Sequence, residues 1–283
     1  LVLGTAQFGL DYGINNTRGK IPKDDVVEIL TIAAQAGIDT VDTAHGYGDS
    51  EQVLGDSLLQ VSTPFKIVTK LPGCNSSEVR AFVDASLARL HVTSVAGLLL
   101  HSFQHYQQDP KLWDVLQELK KEGRVQATGF SLYYPRELDI ILEHGFPVDM
   151  VQLPYNIFDR RFEPYVIELK RRNITVYTRS AFLQGLMFKR VEDLTGNFLH
   201  IKDKIELLND VSRKASVPVW ALALNFCELN ELIDHVIVGV DSPDHLKMLV
   251  ESNSYQLQTL GLMDQLRELQ ENDEKIILPI NWR

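Results

Sequence analysis

The sequence predicts a closed barrel of eight parallel strands, each followed by a helix, as a single domain across residues 1–283. Two observations carry this. Eight short apolar runs alternate with stretches of helical periodicity. The runs are also continuous rather than alternately polar and apolar, as strands covered on both faces require. Repetition of the strand–helix order leaves either a closed barrel or an open doubly wound sheet. The count of eight favours the (β/α)8 barrel, which at this length is an ordinary single domain.

The runs fall at 1–4, 38–43, 65–70, 96–101, 125–131, 149–153, 174–179 and 235–239. Between them, residues 23–36 place Val26, Val27, Leu30, Ala33 and Ala34 on one helical stripe, and 50–59 do the same with Val53, Leu54, Ser57 and Leu58. Residues 77–90, 110–121, 135–143, 163–172 and 202–214 follow the same form. Gly37, Gly123 and Gly145 stand where helices need a left-handed cap. Two segments break the rhythm: a long stretch at 180–201 and an extra helix at 216–230. Helices near 243–252 and 256–272 follow the last strand. A tail then closes the chain, with residues 273–283 expected near the substrate pocket.

Composition excludes several function classes. With 38 acidic against 28 basic residues the net charge is -10, against the basic surface of a nucleic-acid binder. The one basic cluster, Lys170 to Arg172, ends a helical stretch, where cations meet the helix dipole. Two cysteines are too few for a disulfide framework and point to a reducing compartment. No apolar run reaches the 18 or so residues that span a bilayer. The start, Leu1-Val2-Leu3-Gly4, lacks the pattern of a signal peptide. The expected location is cytoplasmic, with neither a membrane nor a nucleic-acid partner, and the oligomeric state is open.

In such barrels the active site lies at the C-terminal strand ends. Strand 2 ends in Asp42, the following loop holds His45 and Tyr47, strand 3 ends in Lys70 and strand 4 in His101. Each has an ordinary structural explanation alone: a turn cap, a surface lysine, a core histidine. Together they make a site. A lysine closing an apolar strand needs a counter-ion, and Asp42 on the next strand supplies one. The ammonium is expected to lower the pKa of the Tyr47 phenol and make it a usable general acid. His101 can orient a carbonyl. A metal-dependent reading through Asp42, His45 and His101 lacks close ligand spacing, so no metal is expected.

The segment GIDTVDTAHGYGDSEQVLGDSL at 37–58 resembles the signature of the aldo-keto reductases. The resemblance continues through LVLGTAQFG at 1–9, IVTKLP at 67–72, GLLLHS at 97–102, GRVQATGFS at 123–131, VQLPYN at 151–156, SAFLQGL at 180–186 and VIVGVDSPDHL at 236–246. It implies a catalytic tetrad of Asp42, Tyr47, Lys70 and His101, a nicotinamide dinucleotide (NADPH or NADH) as cofactor, and hydride transfer to a small-molecule carbonyl. It also implies cofactor contacts at Gly4 and Thr5, at Ser131 and Gln152, at Ser180, Phe182 and Gly185, and along Gly239, Ser242 and His245.

Three departures from the family pattern stand out. Strand 5 ends in Ser131-Leu132 rather than Ser-Asn. Arg179 stands where the family places a ring-stacking aromatic, and its planar guanidinium can stack in turn. The segment after strand 8, Gly239 to His245, carries Asp241 and Asp244 but neither Lys nor Arg, so a preference for NADPH is not implied. Substrate-pocket candidates are Gln7, Phe8, Tyr12, His45, Phe103 and Trp282, a mixture of polar and aromatic groups suited to a sugar-like carbonyl. The alternative function is a dinucleotide-binding regulatory or sensor barrel with little turnover.

Overall fold

The computed structural model describes residues 1–282. Eight strands close in sequence order into a parallel barrel. They are β1 (Val2–Gly4), β2 (Thr40–Asp42), β3 (Lys66–Leu71), β4 (Val95–Leu100), β5 (Val125–Ser131), β6 (Met150–Pro154), β7 (Thr175–Arg179) and β8 (His235–Gly239). The seam is the pairing of β1 with β8, in which Gly4 stands opposite Gly239.

The strands alternate between two cores. Val2, Val68, Leu99, Met150, Tyr177 and Ile237 fill the barrel interior, while their neighbours in sequence pack outward against the helices. Gly97 leaves room for the Met150 side chain, whose sulfur would lie 2.7 Å from a Cβ there. The outer layer shows why the helices form where they do. Helix Lys111–Lys121 buries Leu112, Trp113, Leu116 and Leu119, one stripe of a 3.6-residue repeat. Trp113 stacks on Phe130 of β5 with ring centres 4.7 Å apart. Gly37, Gly123 and Gly145 adopt left-handed conformations at helix ends, with φ of 77°, 76° and 63°.

Differences from the sequence reading are local. In helix Lys23–Gln35 the fully buried stripe is Val26, Ile29, Leu30 and Ala33, so Val27 and Ala34 sit at its edges. The single helix expected over 256–272 is two short ones, Gln256–Leu260 and Met263–Arg267, with Gly261 between them. Short helices at Ala6–Gly9 and Phe103–Gln108 were not anticipated. The stretch after β7 is built of 3₁₀ turns: Leu183–Phe188, Val191–Asp193 and Gly196–Ile201. The tail packs on the last of these, with Trp282 edge-on to Phe198 at 4.9 Å and its indole N–H donating to the Ile276 carbonyl. Among the described residues no helix is long and apolar enough to cross a membrane.

Candidate active site

Strand alternation puts a lysine inside the barrel. Val68 faces the interior, and Lys70, two residues on, shares that face. An ammonium so placed must be paired. Lys70 Nζ lies 2.5 Å from Asp42 Oδ1 and donates to the Thr43 carbonyl at 3.0 Å. The second carboxylate oxygen of Asp42 accepts from Gln152 Nε2 at 2.8 Å. Lys70 and Asp42 are 1% and 3% exposed, so this is a buried ion pair.

Tyr47 stands over that pair, with the Lys70 ammonium 5.4 Å from its ring centre. His101, the residue after β4, meets the same ring edge-on at 5.7 Å. The loop that carries Tyr47 is fixed through backbone. Tyr47 N–H donates to the Ala44 carbonyl, and Ser50 N–H donates to that of Tyr47. Gly9 packs so closely beneath that a Cβ on it would lie 1.9 Å from the Tyr47 carbonyl oxygen.

The electrostatics revise one expectation. The Tyr47 phenol is not lowered but pushed far up, first by burial and then by the charges of Asp42 and Tyr133, with Arg179 opposing. Asp42 already engages the Lys70 ammonium, and desolvation dominates. Tyr47 therefore holds its proton at neutral pH. His101 is pushed down to about 3 by burial and by the Lys70, Arg179 and His105 charges, so its imidazole is neutral.

Asp42, Tyr47 and His101 line a cavity of about 930 Å³ across the C-terminal strand ends. Most of the expected cofactor residues line it too: Gly4, Thr5, Ser131, Gln152, Arg179, Ser180, Phe182, Gly185, Gly239 and His245. Ser242 does not; its hydroxyl caps helix Pro243–Val250 and donates to Asp241. Gly4 and Gly239 together make a floor free of side chains, where a Cβ on Gly239 would strike Gln7 at 2.8 Å. A cavity of this volume with such a floor fits a dinucleotide. Arg179 is placed over the Tyr133 ring at 4.5 Å and donates to the Leu132 carbonyl, so Tyr133 already occupies one face of the guanidinium.

The pocket candidates divide. Gln7, Tyr12 and Trp282 line the cavity, whereas Phe8, His45 and Phe103 do not. Phe8 is turned into the core by the one-turn helix that carries it. Phe103 is buried among Tyr106 and Phe130. His45 turns outward to Phe82 and to Arg89, which is itself paired with the buried Glu51. Residues not anticipated take their places: Ile14, Tyr133, Phe188 and Ile280. Tyr133 follows a strand end directly, a signal the sequence does carry. Past β7 the backbone is strained, with Ser180, Leu183 and Gln184 at positive φ, as happens where a surrounding structure holds a ligand-facing turn. No group of His, Cys, Asp and Glu suited to a metal occurs among the described residues.

Known proteins resemble this chain in sequence and in fold. The model of the aldo/keto reductase family matches residues 1–269. The chain is 25% identical over 185 residues to the aldo-keto reductase YhdN of Bacillus subtilis (strain 168), covering 60% of this chain and 56% of that protein. It is 28% identical over 201 residues to the oxidoreductase sirO of Leptosphaeria maculans, with 66% and 60% covered. The chain thus spans less than two thirds of the length of these relatives. In fold it is similar to the aldo-keto reductase AKR11C1 from Bacillus halodurans in its holo form, with a TM-score of 0.77 at 21% identity over 97% of this chain and 94% of that one. The glycerol dehydrogenase AKR11B4 from Gluconobacter oxydans gives 0.73 at 21% identity, with 94% and 90% covered. The family match spans β1 to β8, and the chain belongs to the aldo/keto reductase family.

Proposed function

We propose that this chain is an NAD(P)-dependent oxidoreductase that reduces an aldehyde or ketone to an alcohol, or runs the reverse, with Tyr47 as general acid and base. One observation carries the reading: a protonated phenol and a neutral imidazole line one cavity wall above a buried lysine–carboxylate pair. The dinucleotide supplies a hydride. Gly4, Gly239, Ser131 and Gln152 would hold it along the barrel mouth.

The residues of the chain handle the oxygen. As the carbonyl carbon accepts the hydride, the C=O π pair moves to oxygen, which takes the Tyr47 proton. His101, neutral, donates one N–H to that oxygen and fixes its direction. The phenolate left behind faces the Lys70 ammonium, which stabilises it until it is reprotonated. Asp42 holds the lysine in place.

The cavity rim moves the substrate away from a sugar-like carbonyl. Ile14, Phe188, Ile280 and Tyr12 line it while 37%, 40%, 59% and 37% exposed, and exposed apolar side chains gathered at a cavity mouth mark a binding groove. The proposed substrate is an aldehyde or ketone with an apolar or aromatic body. Tyr47→Phe tests the assignment: kcat for an aromatic aldehyde should fall by about 10² or more while dinucleotide affinity holds. Activity above a tenth of wild type would remove Tyr47 from its role. Wild-type binding of dinucleotide without turnover of any carbonyl would favour the sensor reading.

A further inference from the structure

Arg179 closes β7, and among the described residues it is the one arginine or lysine that lines the cavity shared by Tyr47 and His101. It is half-buried and held by three contacts. Nη2 donates to the Leu132 carbonyl at 3.0 Å, Nη1 donates to Ser180 Oγ at 3.3 Å, and the Tyr133 ring covers one face at 4.5 Å. A guanidinium has five N–H donors. Most of them are therefore unspent among the described residues.

The carboxylates of the described lining, Asp11, Asp42 and Asp241, do not take them up. Asp42 is held by Lys70 and Gln152, Asp241 faces His245 and Ser242, and none of the three forms an ion pair with Arg179. Elsewhere in this chain a sheltered arginine has an acid partner: Arg160 pairs with Glu163 and Arg161 with Asp159. A sheltered charge without one is costly unless a ligand completes it.

The charge also sits by the reacting atoms. It acts on both Tyr47, whose phenol it draws down against burial, and His101, which it helps to hold neutral. A carbonyl oxygen lies between those two groups to take a proton from one and a hydrogen bond from the other. The dinucleotide brings phosphates of its own, but a ribose separates them from the ring that passes the hydride.

We propose that Arg179 docks an acid group of the carbonyl substrate, so that the preferred substrates are aldehydes or ketones carrying a carboxylate on their apolar or aromatic body. This rests on the oxidoreductase reading above and narrows its substrate class. A planar carboxylate can take paired N–H bonds from one guanidinium, and such charge-assisted bonds are stronger than neutral ones.

The test compares acid with ester. The meta- and para-carboxybenzaldehydes differ from their methyl esters in the acid alone, and the two positions vary its distance from the carbonyl. With wild type and saturating dinucleotide, at least one acid should exceed its ester in kcat/KM by about tenfold or more. Arg179→Gln should bring that ratio below about twofold, with the loss in KM for the acid. Dinucleotide dissociation constants of the two proteins, read by titration calorimetry, should agree within about threefold. No preference for either acid in wild type, or a preference that Arg179→Gln leaves in place, overturns the proposal. So does a loss of dinucleotide affinity above about tenfold, because the guanidinium then serves the cofactor's phosphates. Turnover of none of these aldehydes, by a protein that binds dinucleotide, instead removes the reading on which the proposal rests.

Discussion

Removing the ammonium at the centre of the site should damage the fold before it damages the chemistry. Lys70→Met leaves Asp42, 3% exposed, with only the Gln152 amide against its charge, in place of an ion pair of 2.5 Å. Stripping one partner from a buried pair costs about 3–5 kcal/mol. Asp42→Asn strands the Lys70 ammonium and should cost the same. In a chain of this size each kcal/mol lowers Tm by about 2 °C, so either variant should melt about 6–10 °C below wild type. The double variant Asp42→Asn with Lys70→Met keeps neither charge of the pair, and the new amide can still accept from Gln152. It should melt within about 3 °C of wild type while reducing no carbonyl. Thermal scans of the four proteins at pH 7 and one protein concentration give the cycle directly. If the two single losses add in the double variant, the pair is not the coupled unit described here.

Two further outcomes follow from the same geometry. His101 is held near 3 in the fold but titrates near 6.5 once unfolded. Between those values only the unfolded chain binds the proton, so stability falls as the pH drops. The loss at pH 5 is about 2 kcal/mol relative to neutral pH. Denaturant midpoints at pH 7.5 and pH 5 should show this loss in wild type and not in His101→Gln; equal acid sensitivity in both would refute it. Gly9→Ala places a Cβ against the Tyr47 carbonyl and should displace the loop, lowering kcat at least tenfold. Affinity for dinucleotide, read by titration, should change less than threefold, and a parallel loss of both would refute the local account.

Much of this was legible in the sequence because buried parallel strands leave continuous apolar runs and strand ends are numbered by those runs. Asp42, Lys70 and His101 could be placed within a residue of where β2, β3 and β4 stop. Direction was harder. Phe8, His45 and Phe103 also sit just past strand ends, yet a single helical turn rotates Phe8 inward, and Phe103 joins the rings around Phe130. His45 turns out because Glu51 and Arg89, 38 positions apart, form an ion pair beside it that no local pattern announces. The phenol of Tyr47 shows the same limit. Pairing of Lys70 with Asp42 was foreseen, but the balance between ammonium and burial depends on how deeply the ring is covered.

The loops after β1 and β7 meet along the cavity rim through three hydrogen bonds. Ile14 N–H donates to the Gln184 carbonyl at 3.1 Å, Asn15 Nδ2 to the Gly185 carbonyl at 2.7 Å, and Gln184 Nε2 to the Tyr12 hydroxyl at 2.8 Å. The two side-chain bonds are exposed, and each of the three contributes about 1 kcal/mol net. A dinucleotide bound beneath both loops would need this bridge to open before it could leave, whereas a short carbonyl at the mouth would not.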